Sequence, residues 1–238
     1  MGIDITAQHF NQYLDLIGEG LQGLVRWENE QKSVIGNSEG LSCVVLNANP
    51  FTIGQKYLVQ LAASRSAKVL VFVIQNRPEA GAKGNHENTG IEFSFLDRMR
   101  MVKEGLSDIG NVIILPSGPY LISRSDYPEG FLSEDLGPAP AHAILDSMVF
   151  CHVCNALGIK TAFAGDEPRD ELSEIHLNAL RQECRKNNIN LRVAERKRLG
   201  ERYLTSSLAR QAIADKDLDE LKEIVPQTTL SYLKELCF

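Results

Sequence analysis

The sequence predicts an α/β fold, a doubly wound parallel sheet of five strands with a short helical extension before it. Two observations support this prediction. Beyond residue 40, short aliphatic runs alternate almost one for one with stretches of helical periodicity. The 238 residues, of which 43% are hydrophobic and 24% are charged, are also enough for one large domain with a sizeable core.

Each predicted strand is a short run rich in β-branched or aliphatic residues, as expected for strands that are buried on both faces. The five runs cover residues 42–46, 69–74, 112–115, 161–164 and 191–195. The helical patterns cover residues 54–64, 93–106, 141–157, 173–187, 207–215 and 217–236. Because the connection between two parallel strands is right-handed, these elements wind onto both faces of one sheet.

The residues before the sheet form an N-terminal extension. Apolar residues at helical spacing predict one or two amphipathic helices, and they are Phe10, Leu14, Ile17, Leu21 and Leu24. Residues 31–40 are predicted to be a polar linker. We therefore divide the chain into an extension at 1–40 and a domain at 41–238. The apolar stripe could pack on its own domain or on a second subunit, and we favour its own domain.

Composition and charge argue against several classes of protein. The net charge of −6 disfavours nucleic acid as the main partner, since phosphate neutralisation requires a broad basic surface. No apolar run approaches the roughly 20 residues that span a bilayer. The first ten residues also lack the pattern of a signal peptide. We therefore expect a cytoplasmic protein that does not associate with membranes.

Cysteine usage predicts neither a disulfide framework nor a metal site. The five cysteines are scattered through a chain too large to need disulfide staples, and Cys43 and Cys184 are predicted to be small buried hydrophobes. Cys151 and Cys154 have the spacing of a metal knuckle or a redox pair. Because a second Cys/His pair is missing nearby in sequence, we favour a structural role for both.

Two further segments have more than one interpretation. The basic cluster, which comprises Arg192, Arg196, Lys197, Arg198 and Arg202, is either a solvated face or a site for a polyphosphate or an acidic carrier protein. Residues 75–91 are rich in glycine and follow the second predicted strand, at the sheet edge where ligands bind. This segment is predicted to be a loop, either a lid over the site or a passive insertion.

The turn after the first predicted strand is a candidate anion site. Residues 47–54 read Asn-Ala-Asn-Pro-Phe-Thr-Ile-Gly and join the strand directly to a helix. A helix N-terminus at the carboxyl edge of a parallel sheet presents unpaired N–H groups and the positive end of a dipole. Gly54 allows close approach, while Thr52 and Gln55 add side-chain donors.

The same turn resembles the signature of the nucleotidylyltransferase superfamily, whose motif is His/Thr-x-Gly-His, and is most similar to that of citrate lyase ligase. The similarity includes Tyr57-Leu-Val-Gln-Leu-Ala-Ala63. It continues in the same order through residues 95–98, 106–109, 120–124, 165–168, 204–210 and 225–233. Collinear matches over residues 41–236 are more specific than a single motif. The resemblance implies a Rossmann-like sheet of the nucleotidylyltransferase type.

The resemblance also implies a reaction. Citrate lyase ligase uses ATP, with Mg²⁺, and acetate to form acetyl-AMP and pyrophosphate. It then transfers the acetyl group to the thiol of the prosthetic group on the acyl carrier subunit of citrate lyase. By resemblance, the expected partners are therefore ATP, acetate or a similar small carboxylate, and that carrier subunit.

By resemblance, Thr52, Gln55 and Arg210 are the catalytic residues. Ser207 is expected to cap a helix whose N–H groups meet the β- and γ-phosphates, and Arg210 to add a positive charge. The nucleotide would be bound by Asn47, Asn49, Pro50, Phe51, Thr52, Gly54, Gln55, Arg98, Gly165, Asp166, Glu167, Thr205, Ser206, Ser207 and Arg210. Simpler roles stay open, since Arg98 and Arg210 could be surface residues and residues 165–168 could be only a turn.

Two features depart from the family's pattern. Gln55 stands where the motif has its second His, and loss of one such donor typically costs about 100- to 1,000-fold in rate. Citrate lyase ligases usually carry an acetyltransferase-like domain where residues 1–40 stand here, so carrier recognition or acid specificity is expected to differ. Two alternatives remain: another adenylyltransferase that acts on a phosphate-bearing small molecule, and a non-catalytic nucleotide-binding module.

Overall fold

A parallel sheet forms the centre of the protein. The computed structural model describes residues 7–36, 39–75, 90–121, 138–166 and 171–238. In these ranges the main sheet has the order β3-β2-β1-β4-β5, and every neighbouring pair is parallel. Its strands are β1 (Leu41–Leu46), β2 (Lys68–Val73), β3 (Val112–Pro116), β4 (Thr161–Gly165) and β5 (Asn190–Ala194). The predicted five-stranded sheet is confirmed.

Helices cover both faces of the sheet. They are α1 (Ala7–Ile17), α2 (Gly20–Ile35), α3 (Ile53–Ala63), α4 (Phe95–Gly105), α5 (Pro138–Leu157), α6 (Glu171–Lys186), α7 (Ser206–Ala214), α8 (Leu218–Ile224) and α9 (Gln227–Cys237). One core joins α1, α2, α5 and α6 to the sheet, and the other joins α3, α4 and α7–α9. Successive residues of β2, such as Val71 and Phe72, lie in opposite cores, as expected for a strand buried on both faces.

The order of the strands reverses between β1 and β4. The strands after β1 extend the sheet in one direction, through β2 to β3, and the later strands extend it in the other. In an open α/β sheet, a crevice forms at the carboxyl ends of the strands on either side of such a reversal. The turn that follows β1 lies at this position.

The N-terminal helices pack on the same chain. Leu14 of α1 and Leu24 of α2 are fully buried, and both helices contact α5. The prediction of a polar linker at 31–40 was wrong in its first half, because α2 continues to Ile35. Gln31 and Ile35 are four residues apart and therefore face the core together, and Gly36, with φ of +68°, ends the helix.

The predicted C-terminal helix at 217–236 is in fact two helices, α8 and α9. Val225 between them is extended, with φ of −115° and ψ of 150°. Pro226 disfavours helical backbone in the residue before it, which explains the break. A short hairpin that the sequence did not predict, β6 (Arg198–Leu199) with β7 (Arg202–Tyr203), precedes α7 and turns at Gly200, whose φ is +59°.

The paired cysteines of α5 belong to the core. Cys151 and Cys154 are each 1% exposed, and their sulfur atoms lie 3.9 Å from those of Cys184 and Cys43, respectively. Burial raises the pKa of the Cys154 thiol well above its usual range. In the described ranges, no cluster of three or more His, Cys, Asp or Glu residues could hold a metal ion. Nor does a helix there have the length and apolar character to cross a membrane.

Candidate anion-binding site

The turn after β1 is held in place by the segment just before α4 and by α4 itself. The backbone N–H of Phe93, just before α4, donates to Asn49 Oδ1 at 3.0 Å. Phe51 is fully buried, and a Cβ built at Gly105 of α4 would lie only 2.6 Å from its ring. The side chain of Phe51 therefore anchors the turn beneath α4, and any contact with a ligand must come from the backbone around it.

Thr52 and Gln55 form a capping box at the start of α3. The N–H of Gln55 donates to Thr52 Oγ1 at 3.2 Å, and the N–H of Thr52 donates to Gln55 Oε1 at 3.1 Å. Helix geometry leaves the N–H groups of Ile53 and Gly54 without an intrahelical partner. Because Oγ1 acts as an acceptor in the cap, the Thr52 hydroxyl can still donate its hydrogen.

The first turn of α3 lies against the segment that leads into α7. A Cβ built at Gly54 would lie 2.9 Å from the carbonyl oxygen of Leu204, so only glycine permits this approach. Thr205, the next residue, caps α7 by accepting the N–H of Leu208 at 3.0 Å. The prediction that Ser207 caps this helix was wrong, because Ser207 lies inside the first turn of α7.

Ser206 joins the two helix N-termini. Its hydroxyl donates to the carbonyl oxygen of Pro50 at 2.9 Å, and Gln55 Nε2 donates to the same hydroxyl over a long 3.5 Å. The sequence placed these three residues in one site, and the structure brings them into contact. The contact ties the turn after β1, the start of α3 and the start of α7 into one unit.

Arg210 links two parts of this unit, the turn after β1 and the first turn of α7. Its guanidinium donates to the carbonyl oxygen of Asn49 at 2.7 Å and to Ser207 Oγ at 3.2 Å. With 9% of its surface exposed, Arg210 is a buried residue of the site, so the alternative of a surface arginine is wrong. The carbonyl of Asn49 and the hydroxyl of Ser207 fix the position of its charge.

Three positive elements therefore meet at the carboxyl end of β1. The N-terminus of a helix carries roughly half a positive charge, and α3 and α7 both begin here. The caps at Thr52 and Thr205 engage one N–H each at the third helical position, while the first two N–H groups of each helix lie outside the intrahelical pattern. Together with the guanidinium of Arg210, they suit the oxygens of a polyphosphate.

Arg98 holds the ends of two strands together. It is 1% exposed, and its Nη1 donates to the backbone oxygens of Asn47 and Ile74, both at 2.9 Å, and to Asn47 Oδ1 at 2.8 Å. The alternative of a solvated arginine is therefore wrong. Because Asn47 follows β1 and Ile74 follows β2, Arg98 and Asn47 shape the floor of the site.

The carboxyl end of β4 lies beside that of β1. Within the part of the chain that the structure describes, a Cβ built at Gly165 would meet no atom within 4 Å. Asp166 is half-buried, and its N–H donates to the carbonyl oxygen of Ala194 at 2.9 Å. Glu167 and the core of the predicted loop, residues 76–89, lie outside the described residues.

Sequence reasoning missed one pair at the rim of the site. Lys197 Nζ lies 4.6 Å from the centre of the Tyr57 ring on α3. The carbonyl oxygen of Lys197 also accepts the N–H of Leu204 at 2.9 Å. The only sequence signal was that Lys197 belongs to the basic cluster and Tyr57 to the helix after the turn.

Comparisons with known proteins agree with this architecture. A family model described as the citrate lyase ligase C-terminal domain matches residues 41–233. The citrate (pro-3S)-lyase ligase of Haemophilus influenzae is 29% identical over 212 residues, which are 87% of this chain and 59% of that protein. That of Escherichia coli K12 is 28% identical over 219 residues, 90% and 59% of the two chains. The chain thus spans less than two thirds of the length of these relatives.

Solved structures share the fold at low sequence identity. Pantothenate synthetase from Thermus thermophilus superposes with a TM-score of 0.50 at 15% identity, over 88% of this chain and 81% of that one. Thermotoga maritima TmcAL bound with alpha-thio ATP gives a TM-score of 0.51 at 13% identity, over 82% and 55%. These likenesses show a nucleotidyltransferase-type α/β fold.

Proposed function

The chain belongs to the citrate lyase ligase C-terminal domain family, and on that premise we propose that it is an ATP-dependent acyl-adenylating ligase. It would join AMP to acetate or a similar small carboxylate and pass the acyl group to the thiol on the acyl carrier subunit of citrate lyase. The observation that carries the proposal is the junction of two capped helix N-termini with the buried guanidinium of Arg210.

In the first step, a carboxylate oxygen of the acid attacks the α-phosphorus of ATP. The bond from that phosphorus to the bridging oxygen breaks, and acetyl-AMP and pyrophosphate form. Negative charge builds up on the departing pyrophosphate, so fixed positive groups around it lower the barrier. The starts of α3 and α7 and the Arg210 guanidinium are suited to hold the β- and γ-phosphates.

Thr52 and Gln55 would act on the same phosphates in different ways. The Thr52 hydroxyl can donate to a phosphate oxygen while its Oγ1 stays in the cap. Gln55 has its amide oxygen on the Thr52 N–H and its nitrogen directed at Ser206. Gln55 therefore contributes mainly by fixing the two helices, which is a positioning role.

Mg²⁺ would accompany the phosphates of ATP. This ion is usually held by one or two carboxylates together with substrate phosphates, which it neutralises as charge develops. Asp166, at the carboxyl end of β4 beside β1, offers a carboxylate at a suitable edge of the sheet. This donor set fits an ion that binds together with the nucleotide.

In the second step, the carrier thiol attacks the carbonyl carbon of acetyl-AMP. The carbon–oxygen bond to AMP breaks, the thiol loses its proton to solvent, and a thioester and AMP form. Because AMP is a good leaving group, this step requires mainly that the thiol reach the adenylate. The protein's part is therefore to position a carrier beside the site.

Acetate-dependent exchange of labelled pyrophosphate into ATP tests the first step without any carrier. We expect exchange that requires acetate, ATP and Mg²⁺, and that falls by about 100-fold when Arg210 is replaced by Ala. Arg181→Ala on α6, which packs on the opposite face of the sheet from α3 and α7, serves as the control. Exchange with none of the acids tested, despite ATP binding by calorimetry, would overturn the proposal.

One observation favours a second candidate, a nucleotide-binding module without turnover. Gln55 stands where the superfamily motif has a histidine, and its amide is engaged within the protein at both ends. A module of this kind would bind ATP with unchanged affinity in the presence of every carboxylate, and would release no pyrophosphate. The exchange assay and the calorimetry together separate the two candidates.

A further inference from the structure

We propose that the basic hairpin, defined as Lys197 and Arg198 at the start of the β6–β7 ribbon together with Arg192 of β5, is the surface on which an acidic carrier protein docks. The inference rests on the proposed function, because it assigns the place from which the carrier presents its thiol. It concerns a surface outside the anion-binding site, and the contacts of the hairpin carry it.

The hairpin is strongly positive on a chain that is negative overall. Residues 192–202 contain the five cations of the basic cluster and two acidic residues, Glu195 and Glu201, whereas the whole chain has a net charge of −6. All three side chains of the basic hairpin are exposed. A local reversal of charge of this size attracts an anionic partner and raises its rate of association.

Aromatic rings orient two of these cations and leave their charge in place. The Arg198 guanidinium lies 4.4 Å from the centre of the Tyr203 ring and donates to its hydroxyl at 2.6 Å. Lys197 lies over the ring of Tyr57 in the same way. A cation over an aromatic ring keeps its full charge, whereas an ion pair such as Arg202 with Glu220 neutralises it.

The hairpin is fixed to both helices of the anion-binding site. The Lys197 carbonyl accepts the N–H of Leu204, which immediately precedes the cap of α7. The ring under Lys197 belongs to Tyr57, one turn after Gly54 in α3. A protein that docks on the hairpin therefore stands directly beside the proposed site of the adenylate, within reach of a flexible thiol arm.

The geometry of the basic hairpin favours the surface of a protein, and not a small polyphosphate, as its ligand. Small anions are bound where several donors converge in a concave site. Here Lys197 and Arg198 lie over different rings, Tyr57 and Tyr203, so their charges are spread over an exposed ribbon. Spread and exposed cations suit the acidic face of a folded partner, in which charge complementarity sets the orientation.

The test measures binding of the citrate lyase acyl carrier subunit by fluorescence anisotropy, which needs no turnover. The double variant Arg192→Glu/Arg198→Glu, which leaves Lys197 at the rim of the site unchanged, is expected to bind the carrier at least about tenfold more weakly than the unchanged protein. The control Arg65→Glu/Lys160→Glu reverses two exposed cations at the opposite, amino edge of the sheet, and should bind normally. The unchanged protein should also lose affinity as salt is raised.

Equal carrier affinity in the double variant, or no carrier binding by the unchanged protein, would overturn the inference. Carrier prepared without its prosthetic group must show the same loss, since the proposal assigns the contact to the protein surface. Tripolyphosphate binding that disappears in the double variant would instead assign the hairpin to a small polyphosphate. Acetate-dependent pyrophosphate exchange should stay within about twofold in the double variant, so a failure of the proposed function is seen separately.

Discussion

Gln55 Nε2 lies 3.5 Å from Ser206 Oγ, and this contact joins the first turn of α3 to the first residue of α7. The oxygen of the same amide accepts the N–H of Thr52 at 3.1 Å. One side chain therefore caps one helix and fixes a second helix beside it. The glutamine in the place of the motif histidine is a structural link between the two positive helix ends, so different replacements should affect stability and ligand binding to different degrees.

Replacing Gln55 by Ala should cost stability and ATP affinity together. Loss of the hydrogen bond from the Thr52 N–H to the Gln55 amide oxygen, which is one half of the capping box, is expected to lower the free energy of unfolding by about 1 kcal/mol. Gln55→Glu keeps the acceptor for the Thr52 N–H and so should unfold at nearly the same urea concentration as the unchanged protein. Its carboxylate repels phosphate, however, and should weaken ATP binding by about tenfold or more. Equal ATP affinity in Gln55→Glu would place the phosphates elsewhere.

Replacing Gln55 by His should raise the rate of adenylation. An imidazole can present a donor to the developing charge on pyrophosphate, which is worth about 100-fold in rate for a well-placed group. The same change removes the bond from the Thr52 N–H to the amide oxygen, so a loss of about 1 kcal/mol in stability should accompany it. Stopped-flow detection of pyrophosphate with acetate measures the rate. An unchanged rate together with normal ATP binding would favour the module without turnover.

The sheet was predictable because each strand is a separate aliphatic run between turn signals. The turn at Thr52 and Gly54 was predictable for the same reason, since strand, turn and helix follow one another without a gap. The contact between Gln55 and Ser206 was not, because it joins residues 151 positions apart. Sequence periodicity reports which face of an element is buried, and says nothing about which two helix ends meet.

Arg98 illustrates a second limit of the sequence. An arginine on a helix is usually solvated, and only the fold shows that three oxygens at the ends of β1 and β2 surround it. The cap of α7 is a related case, since Thr205, Ser206 and Ser207 are all good capping residues. The backbone conformation distinguishes them, and in the structure Thr205 has the extended conformation of the cap.

Replacing Arg98 by Met should destabilise the fold strongly. The change removes the donor from the buried oxygen of Ile74 and from two half-buried oxygens of Asn47, and a loss of about 3 kcal/mol or more is expected. Urea denaturation gives the value. Arg100→Met is the matched control, two residues along α4 and half exposed in an ion pair with Glu104, and should cost about 1 kcal/mol or less. Similar losses in both variants would show that Arg98 has no special structural role.

Replacing Arg210 by Lys should weaken ATP binding while the positive charge is retained. A lysine ammonium cannot reproduce the fork that contacts the Asn49 carbonyl and Ser207 Oγ together. We expect about a tenfold loss of ATP affinity, measured by calorimetry. AMP lacks the β- and γ-phosphates, and its affinity should change by about twofold or less. An equal loss for AMP and ATP would mean that Arg210 does not act on the terminal phosphates.

Glu28 should make stability depend on pH. Burial between α2 and α5 raises the pKa of this carboxyl group to about 7, partly offset by Lys32. The unfolded chain releases the proton near the usual pKa of about 4.5, whereas the folded chain keeps it until about 7. The free energy of unfolding should therefore fall as the pH rises from about 4.5 to 7. Above that range this contribution is constant.

Replacing Glu28 by Gln isolates the contribution of this group. At pH 5 the carboxyl group is protonated in the fold and resembles an amide, so both proteins should be about equally stable. At pH 8 the Glu28→Gln variant should be more stable by about 3 kcal/mol, since about two units separate pH 5 from the folded pKa and each corresponds to about 1.4 kcal/mol. Subtracting the stability curve of one protein from that of the other removes the contribution of other titrating groups. One of these is Asp146, whose pKa is raised by burial to about 8. Because His152 Nε2 lies 3.4 Å from Glu28 Oε1, the measurement is repeated in a His152→Gln background. A stability difference that is the same at pH 5 and pH 8 would show that the Glu28 carboxyl is not protonated in the fold.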